Sequence, residues 1–176
     1  FDAARDGINL GEGAGTVILT GNREYSSGVK VTGGSVSNDA NHISGPSRTG
    51  EGLLLAIEQS MNLAGVKAEE IDIISAHGTA TDYNDEMEAK AFARAGLENV
   101  PLNSYKGYFG HTLGAAGVIE AIISLQSLRM NTLFRSAGYD THGVSTAQQI
   151  IKETTEKEVN TCLKTASGFG GSNAAV

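Results

Sequence analysis

The sequence has few of the residues that build disulfides, membrane spans and cationic surfaces. It contains one cysteine, Cys162, so no disulfide can form within the chain. Its uninterrupted apolar runs are far shorter than the ~20 residues of a membrane-spanning helix, and no segment resembles a signal peptide. Acidic residues outnumber basic ones by 20 to 13, giving a formal charge of −7. We therefore expect a cytoplasmic protein that binds neither nucleic acid nor anionic membranes.

Glycine, by contrast, is abundant, with 23 residues in a chain of 176. The glycines cluster at 11–15, 107–117 and 168–171, and such clusters mark backbone that turns sharply or approaches another group closely. The length is sufficient for one domain with a hydrophobic core. The chain opens at Phe1 rather than at a methionine, inside a segment that is predicted to be structured, and we expect it to be a fragment or subdomain.

Hydrophobic periodicity predicts alternating strands and helices. The stretch 131–160 is polar and weakly patterned, so no helix or strand is predicted within it. The predicted helices are 50–64, 85–95 and 113–130, and the predicted strands are 15–20, 29–36, 71–76, 100–104, 161–166 and 174–176, with a glycine-rich loop over 105–112. This alternation favours an α/β fold with a mostly parallel sheet.

His77 directly follows the apolar strand 71–76, where ligands gather in α/β sheets. Gly78 allows the chain to turn there, and Thr79 and Thr81 supply hydroxyl groups. A satisfied structural histidine is the alternative interpretation.

His111 precedes the predicted helix 113–130, whose first turn consists of small residues. The helix dipole disfavours an imidazolium at this end, so the ring is expected to be neutral and able to donate an N–H to an oxyanion. The alternative is a histidine that caps a tightly packed helix. Lys106 lies five residues earlier, in a stretch that fits neither the P-loop nor the dinucleotide-binding pattern.

Asp85 and Glu88 share one face of the predicted helix 85–95. They are either helix caps or anionic partners of Lys106. The four histidines lack the spacing of metal ligands, so no metal is expected. Cys162 lies in an apolar strand and is interpreted as a small buried hydrophobe rather than a nucleophile.

Four segments, in order along the whole chain, resemble the motifs of the β-ketoacyl-acyl-carrier-protein synthases. They are Phe1-Asp-Ala-Ala-Arg-Asp-Gly with Gly-Glu-Gly-Ala-Gly at 11–15, His-Gly-Thr-Ala-Thr at 77–81 followed by Asp85, Lys106 with Gly-His-Thr-Leu-Gly-Ala-Ala-Gly at 110–117, and Gly-Phe-Gly-Gly-Ser-Asn at 168–173.

The resemblance implies the thiolase fold, which is built from two similar halves. Residues 1–36 would be the terminal strands of the N-terminal half. Residues 37–176 would form the C-terminal half, a mixed five-stranded sheet with helices on its faces. The family's nucleophile is a cysteine in a TACSS-like turn, which Cys162 does not match.

The resemblance also implies a decarboxylative Claisen condensation in fatty-acid biosynthesis. His77 and His111 would donate hydrogen bonds to the thioester oxygen, and Lys106 would orient His111 by pairing with Glu88 or Asp85. Thr79 and Thr81 would hold the phosphopantetheine arm of the acyl carrier protein, and Phe169 would gate the nucleophile. No cofactor is expected, and the family is usually dimeric, so the full-length protein would be a homodimer or heterodimer.

Two alternatives to a fatty-acid synthase remain at this point. One is a non-catalytic partner subunit similar to chain-length factors, and the other is a specialised polyketide or aryl polyene synthase, suggested by the atypical stretch 131–145. Thiolase itself is disfavoured, because Ser167-Gly168-Phe169 stands where thiolases carry a second cysteine. The isolated chain is expected to have no condensing activity.

Overall fold

The computed structural model describes residues 1–26 and 28–176. The α-helices are α1 (Glu51–Ala64), α2 (Asp82–Arg94), α3 (Lys106–Phe109) and α4 (Ala116–Met130). The strands are β1 (Ser35–Asn38), β2 (Ile73–Ser75), β3 (Pro101–Asn103), β4 (Thr132–Leu133), β5 (Gln149–Ile150), β6 (Thr155–Glu156), β7 (Cys162–Gly168) and β8 (Ser172–Ala175).

Six strands form one mixed sheet in the order β1-β8-β7-β2-β3-β5. The strands β7, β2, β3 and β5 are parallel, whereas β8 pairs antiparallel with both β7 and β1. The remaining pair, β4 and β6, is a separate antiparallel ribbon. The predicted mixed α/β sheet is confirmed, with six strands where five were expected.

Helices cover both faces of this sheet, because successive side chains of a strand point to opposite faces. Ile74 and Leu163 belong to the larger core, in which α1 and α2 pack. Ile73 belongs to a second core with Leu133 and Ile151, beside Leu128 of α4. The short strands β2 and β3 are therefore buried on two sides and fixed in position.

The helix α1 shows why the periodicity predicted helices well. Its apolar side chains recur at spacings of three and four residues, and Leu53, Leu54 and Ile57 are buried. The helix ends at Gly65, which adopts a left-handed conformation and donates its N–H to the carbonyls of Asn62 and Met61.

The strand predicted over 15–20 is wrong, and only the end of the strand predicted over 29–36 forms, as part of β1. In residues 15–20 the side chains of Val17, Ile18 and Leu19 are exposed. A β-branched run becomes a strand only beside a partner strand, and within the described residues nothing pairs with this one. Strand β1 runs across position 36 and pairs with β8. The predicted division of the chain into residues 1–36 and residues 37–176 stays a prediction.

Two further details differ from the sequence-based expectations. The predicted loop 105–112 contains the short helix α3, and the helix predicted from 113 begins with a 3₁₀ turn, Leu113–Ala115, before α4. By length and composition alone, the stretch Leu113–Met130 could cross a membrane, a criterion that core helices of water-soluble proteins also meet. In this chain Glu120 lies in that stretch, fully buried, and α4 packs against β7 and β2.

Gly50 and Gly65 flank α1 in nearly the same left-handed conformation, with φ of 70° and 68°. A Cβ at Gly50 would collide with the carbonyl oxygen of Met87 in α2, whereas a Cβ at Gly65 would meet open space. We expect Gly65→Ala to cost about 1 kcal/mol in the free energy of unfolding, which is the left-handed penalty alone. Gly50→Ala should cost at least about 2 kcal/mol, because the collision adds to that penalty. Urea titrations of the two variants measure the difference, and equal losses would contradict this account.

Candidate active site

Two parallel strands carry the predicted site residues to one edge of the sheet. His77 lies two residues after the end of β2, and Lys106 and His111 come shortly after β3. Since β2 and β3 are parallel neighbours, their carboxyl ends lie side by side. The rings of His77 and His111 consequently meet edge to face, with centroids 5.1 Å apart and planes at 82°.

The partners of the two rings assign their tautomers. Nδ1 of His77 lies 3.3 Å from Nζ of Lys106. An ammonium group can only donate, so Nδ1 accepts and the ring proton resides on Nε2. Nδ1 of His111 accepts the backbone N–H of Leu113 at 3.1 Å, which places that ring's proton on Nε2 as well. Among the described residues, neither Nε2–H donates a hydrogen bond, so each can donate to a ligand.

Both imidazoles are held neutral. Burial lowers the pKa of His77 to about 2, and the positive charges of Lys106 and Lys164 add to that effect. The pKa of His111 is also lowered, first by burial and then by Lys106. A neutral ring keeps its Nδ1 acceptor and its Nε2–H donor in the arrangement that the contacts require.

Lys106 is buried and contacts His77 twice. Its Nζ donates to the His77 carbonyl oxygen and approaches the His77 ring, and its carboxylate partner is Glu120, whose Oε1 lies 2.5 Å away. The prediction that Lys106 pairs with Glu88 or Asp85 is therefore wrong, whereas its orienting role toward His111 stays a prediction.

Glu88 is occupied by other donors, which explains the wrong pairing. Its carboxylate accepts the backbone N–H groups of His77 and Gly78 at 2.7 and 2.6 Å. It also accepts from the Asn84 amide at 2.9 Å and the Thr165 hydroxyl at 3.2 Å. Burial raises its pKa, and the two backbone N–H groups, of Gly78 and His77, oppose that rise. Glu88 therefore fixes the turn of the main chain that presents the His77 ring.

Asp85 and the two threonines extend this turn. The carboxylate of Asp85 accepts the Thr79 N–H at 3.1 Å. The hydroxyl oxygens of Thr79 and Thr81 are 2.8 Å apart. Thr79 therefore lies two residues from His77 and lines the cavity described below, and Thr81 contacts it through its hydroxyl group.

The sequence analysis missed two charged residues, Glu120 and Lys164. Both are buried, and Nζ of Lys164 lies 2.6 Å from Oε2 of Glu120, in an ion pair that departs from hydrogen-bond geometry. A signal existed for each, since Glu120 is the one acidic residue of the apolar helix α4 and Lys164 is the one cation of the apolar strand β7. Charged side chains in such apolar elements are rarely buried unless they are paired.

A cavity of about 330 Å³ opens beside these residues. His111, Lys106, Thr79 and Asn9 are among its lining residues. His77 does not line it directly but lies in ring contact with His111 at its edge. The cavity therefore reaches His111, and His77 lies in contact with it.

Phe169 and Cys162 lie away from this cavity. Phe169 occupies the turn between β7 and β8 with 81% of its side chain exposed, next to Gly170 and Gly171, both in left-handed conformations. Cys162 is the first residue of β7, and burial raises the pKa of its thiol to about 11. That thiol stays protonated at neutral pH and is a poor nucleophile, in line with its interpretation as a core residue.

Within residues 1–26 and 28–176, no three His, Cys, Asp or Glu side chains converge in a way that could hold a metal ion. The expectation of a metal-free and cofactor-free protein stays a prediction.

A mixed sheet with helices on both faces and two neutral imidazoles backed by a buried lysine defines a ketosynthase-type domain of the thiolase-like class. The chain belongs to the family described as "Beta-ketoacyl synthase, C-terminal domain", whose pattern matches residues 29–140. A relative from Rhizobium meliloti (strain 1021), 3-oxoacyl-[acyl-carrier-protein] synthase 2, is 38% identical over the whole of this chain and 44% of its own length. The chain thus spans less than half the length of this relative.

Solved structures give the same result. A structure of the ishigamide ketosynthase/chain length factor superposes with a TM-score of 0.91 at 30% identity, covering 99% of this chain and 44% of the other. A type II polyketide acyl-carrier protein in complex with its ketosynthase gives a TM-score of 0.79 at 26% identity, covering 82% of this chain and 36% of that chain.

The depressed pKa of His77 makes folding stability depend on pH. The unfolded ring binds a proton near pH 6.5, whereas the folded ring binds one only near pH 2. The contribution of neutral His77 is therefore fully present above pH 6.5 and is lost as the pH falls, by up to about 1.4 kcal/mol per pH unit. We expect the free energy of unfolding to drop by roughly 2 kcal/mol between pH 7 and pH 5.

His77→Gln should remove this part of the slope, and the exposed control His142→Gln should retain it. Urea titrations at the two pH values measure both. An unchanged slope in His77→Gln would contradict the burial of a neutral ring.

Proposed function

We propose that the complete protein containing this chain is a 3-oxoacyl-[acyl-carrier-protein] synthase, which condenses malonyl-carrier protein with an acyl group held on a cysteine. The observation that carries the proposal is the pair of neutral imidazoles, His77 and His111, with their rings in contact and an Nε2–H free on each. The family membership and the 3-oxoacyl synthase relatives support it.

The two imidazoles suit the decarboxylation step. When CO₂ leaves the malonyl thioester, the electron pair of the broken carbon–carbon bond forms an enolate whose charge rests on the thioester oxygen. Nε2–H donors fixed before the reaction stabilise that charge, and losing one such donor typically costs 10²- to 10³-fold in rate. Neutral rings donate these protons without transferring them.

The enolate carbon then attacks the acyl thioester, and the cysteine sulfur leaves as a thiolate. Cys162 does not match the family's nucleophile, and its buried thiol is protonated. The cysteine that carries the acyl group would therefore belong to another part of the catalytic unit. Lys106 serves as a positioning residue in this scheme, since it holds the ring and the carbonyl oxygen of His77.

The other predicted roles belong to the same proposal. Thr79 and Thr81 would receive the phosphopantetheine arm beside His77, and Phe169, on its exposed turn, would gate the nucleophile. Acyl carrier protein would be the partner, as it is for the ketosynthase of the polyketide complex. The dimeric state and the cytoplasmic location stay predictions.

A non-catalytic partner subunit and a specialised polyketide synthase are the second candidates, favoured by the likeness to a ketosynthase/chain length factor structure. A partner subunit has no need for two neutral histidine donors, whereas this chain retains both together with Lys106. The retained donors favour a catalytic subunit, and the identity of the acyl chain separates the fatty-acid pathway from the polyketide pathway.

Replacing either histidine tests the assignment. In the complete gene product, His77→Ala and His111→Ala should each lower the rate of malonyl decarboxylation by at least roughly 100-fold, because each removes one enolate donor. The control is His42→Ala, which changes an exposed histidine outside the site. Release of labelled CO₂ from malonyl-carrier protein is the measurement, and unchanged release would refute the assigned roles.

The 176-residue chain by itself should form no ketoacyl product. Its one thiol, Cys162, is buried and protonated at neutral pH, so no acyl-enzyme can form. Mass spectrometry after incubation with acyl- and malonyl-carrier protein checks this. A ketoacyl product, or an acyl group on Cys162, would show that the account of this cysteine is wrong.

A further inference from the structure

Lys164 is a second buried lysine in the site, and the reaction scheme above gives it no role. It lies in β7 opposite Ser75 of β2, two residues before His77. Only 5% of its surface is exposed. Placing an ammonium group there is costly unless it is fully paired, so its contacts indicate what it does.

The Lys164 ammonium group contacts the main chain next to His77 and the residues that hold His77 in position. Nζ donates to the carbonyl oxygens of Ser75 and Ala76, at 3.2 and 3.3 Å, which are the last two carbonyls before His77. It also donates to the carbonyl of Thr165 at 2.5 Å, and the side chain of Thr165 contacts Glu88. The same Nζ pairs with Glu120.

These contacts connect Lys164, Glu120 and Lys106 to one another and to His77. Glu120 receives Lys164 on Oε2 and Lys106 on Oε1, at 2.6 and 2.5 Å. Lys106 in turn holds the ring and carbonyl of His77, and Lys164 holds the strand that leads into it. Glu120 is thus oriented from both sides.

The two ammonium groups share the single carboxylate of Glu120 as their direct ion-pair partner. The carboxylate of Glu88 is the other anionic group that interacts with them. The ionisable groups that face Lys164 are His77 from β2, Glu88 from α2, Lys106 from α3, Glu120 from α4, His111 and Cys162. The charge of Lys164 lowers the pKa of His77, His111 and Lys106.

We propose that Lys164 is a positioning residue for the condensation, which fixes Glu120 on Lys106 and adds a second positive charge behind the two imidazoles. This inference rests on the proposed function of the site. The positive charge of Lys164, at the end of the strand that leads into His77, favours an enolate oxygen at the two imidazoles over the neutral thioester.

The test uses Lys164→Met in the complete gene product. The control is Lys157→Met, which changes an exposed lysine outside the site. We expect kcat for malonyl decarboxylation to fall about tenfold, less than for a lost direct donor, with KM within about twofold. Removing the positive charge raises the pKa of His77 and His111. The acidic limb of the pH–rate profile should therefore move to higher pH by at least about half a unit.

Circular dichroism at each pH gives the folded fraction, and dividing the rate by that fraction separates positioning from a loss of stability. Lys164→Gln keeps a donor for the Ser75 and Ala76 carbonyls and removes only the charge, so it should show the same shift. Lys164→Arg keeps the charge and should leave the limb in place. An unmoved limb in both uncharged variants would overturn the proposal.

A double-mutant cycle on the 176-residue chain tests the shared carboxylate independently of activity. Glu120→Gln leaves two buried ammonium groups without their direct ion-pair partner in the wild type but only one in Lys164→Met. The urea midpoint should therefore fall less in the second background, and equal falls would contradict the coupling.

The two proposals fail in different ways. If His77→Ala abolishes decarboxylation while Lys164→Met changes neither kcat nor the acidic limb, only the role of Lys164 is lost. If decarboxylation survives His77→Ala, the proposed function itself fails.

Discussion

The candidate site depends on one buried ionic cluster, in which Glu120 lies between Lys106 and Lys164. Ions taken from water cost several kcal/mol each, which is recovered only through close pairing and further hydrogen bonds. Here the further bonds go to main-chain carbonyls at the end of β2 and to the ring of His77. The contacts that stabilise the buried charges also fix the orientation of the His77 imidazole.

The second constraint is the turn that follows β2. Glu88 binds two consecutive N–H groups, those of His77 and Gly78, and Gly78 adopts φ of 45°. A Cβ at this position would collide with the side chain of Ser104 in the neighbouring turn. Turns after β2 and β3 therefore pack closely, which brings His77 within ring contact of His111.

Elements with a strong periodic pattern could be predicted, and elements that need a distant partner could not. The helices α1 and α2 form close to their predicted positions because their apolar spacing is local information. The run 15–20 has a strand-like composition but gains no pairing in the described structure. The strands within 131–160 are two residues long and arise from contacts with β3 and with each other, which no local pattern records.

Sequence alone determined the family and the order of its motif residues along the chain: two histidines, a lysine and a glycine-rich turn in the arrangement of the ketoacyl synthases. It also showed that Cys162 is not the family's nucleophile. Only the tertiary structure decided which carboxylate pairs with Lys106 and which imidazole it supports. The reason is a competition for hydrogen bonds. The carboxylate of Glu88 is saturated by backbone N–H groups, so the ammonium group of Lys106 pairs with Glu120 of α4 instead. This competition exists only once α4 and β7 are packed against β2.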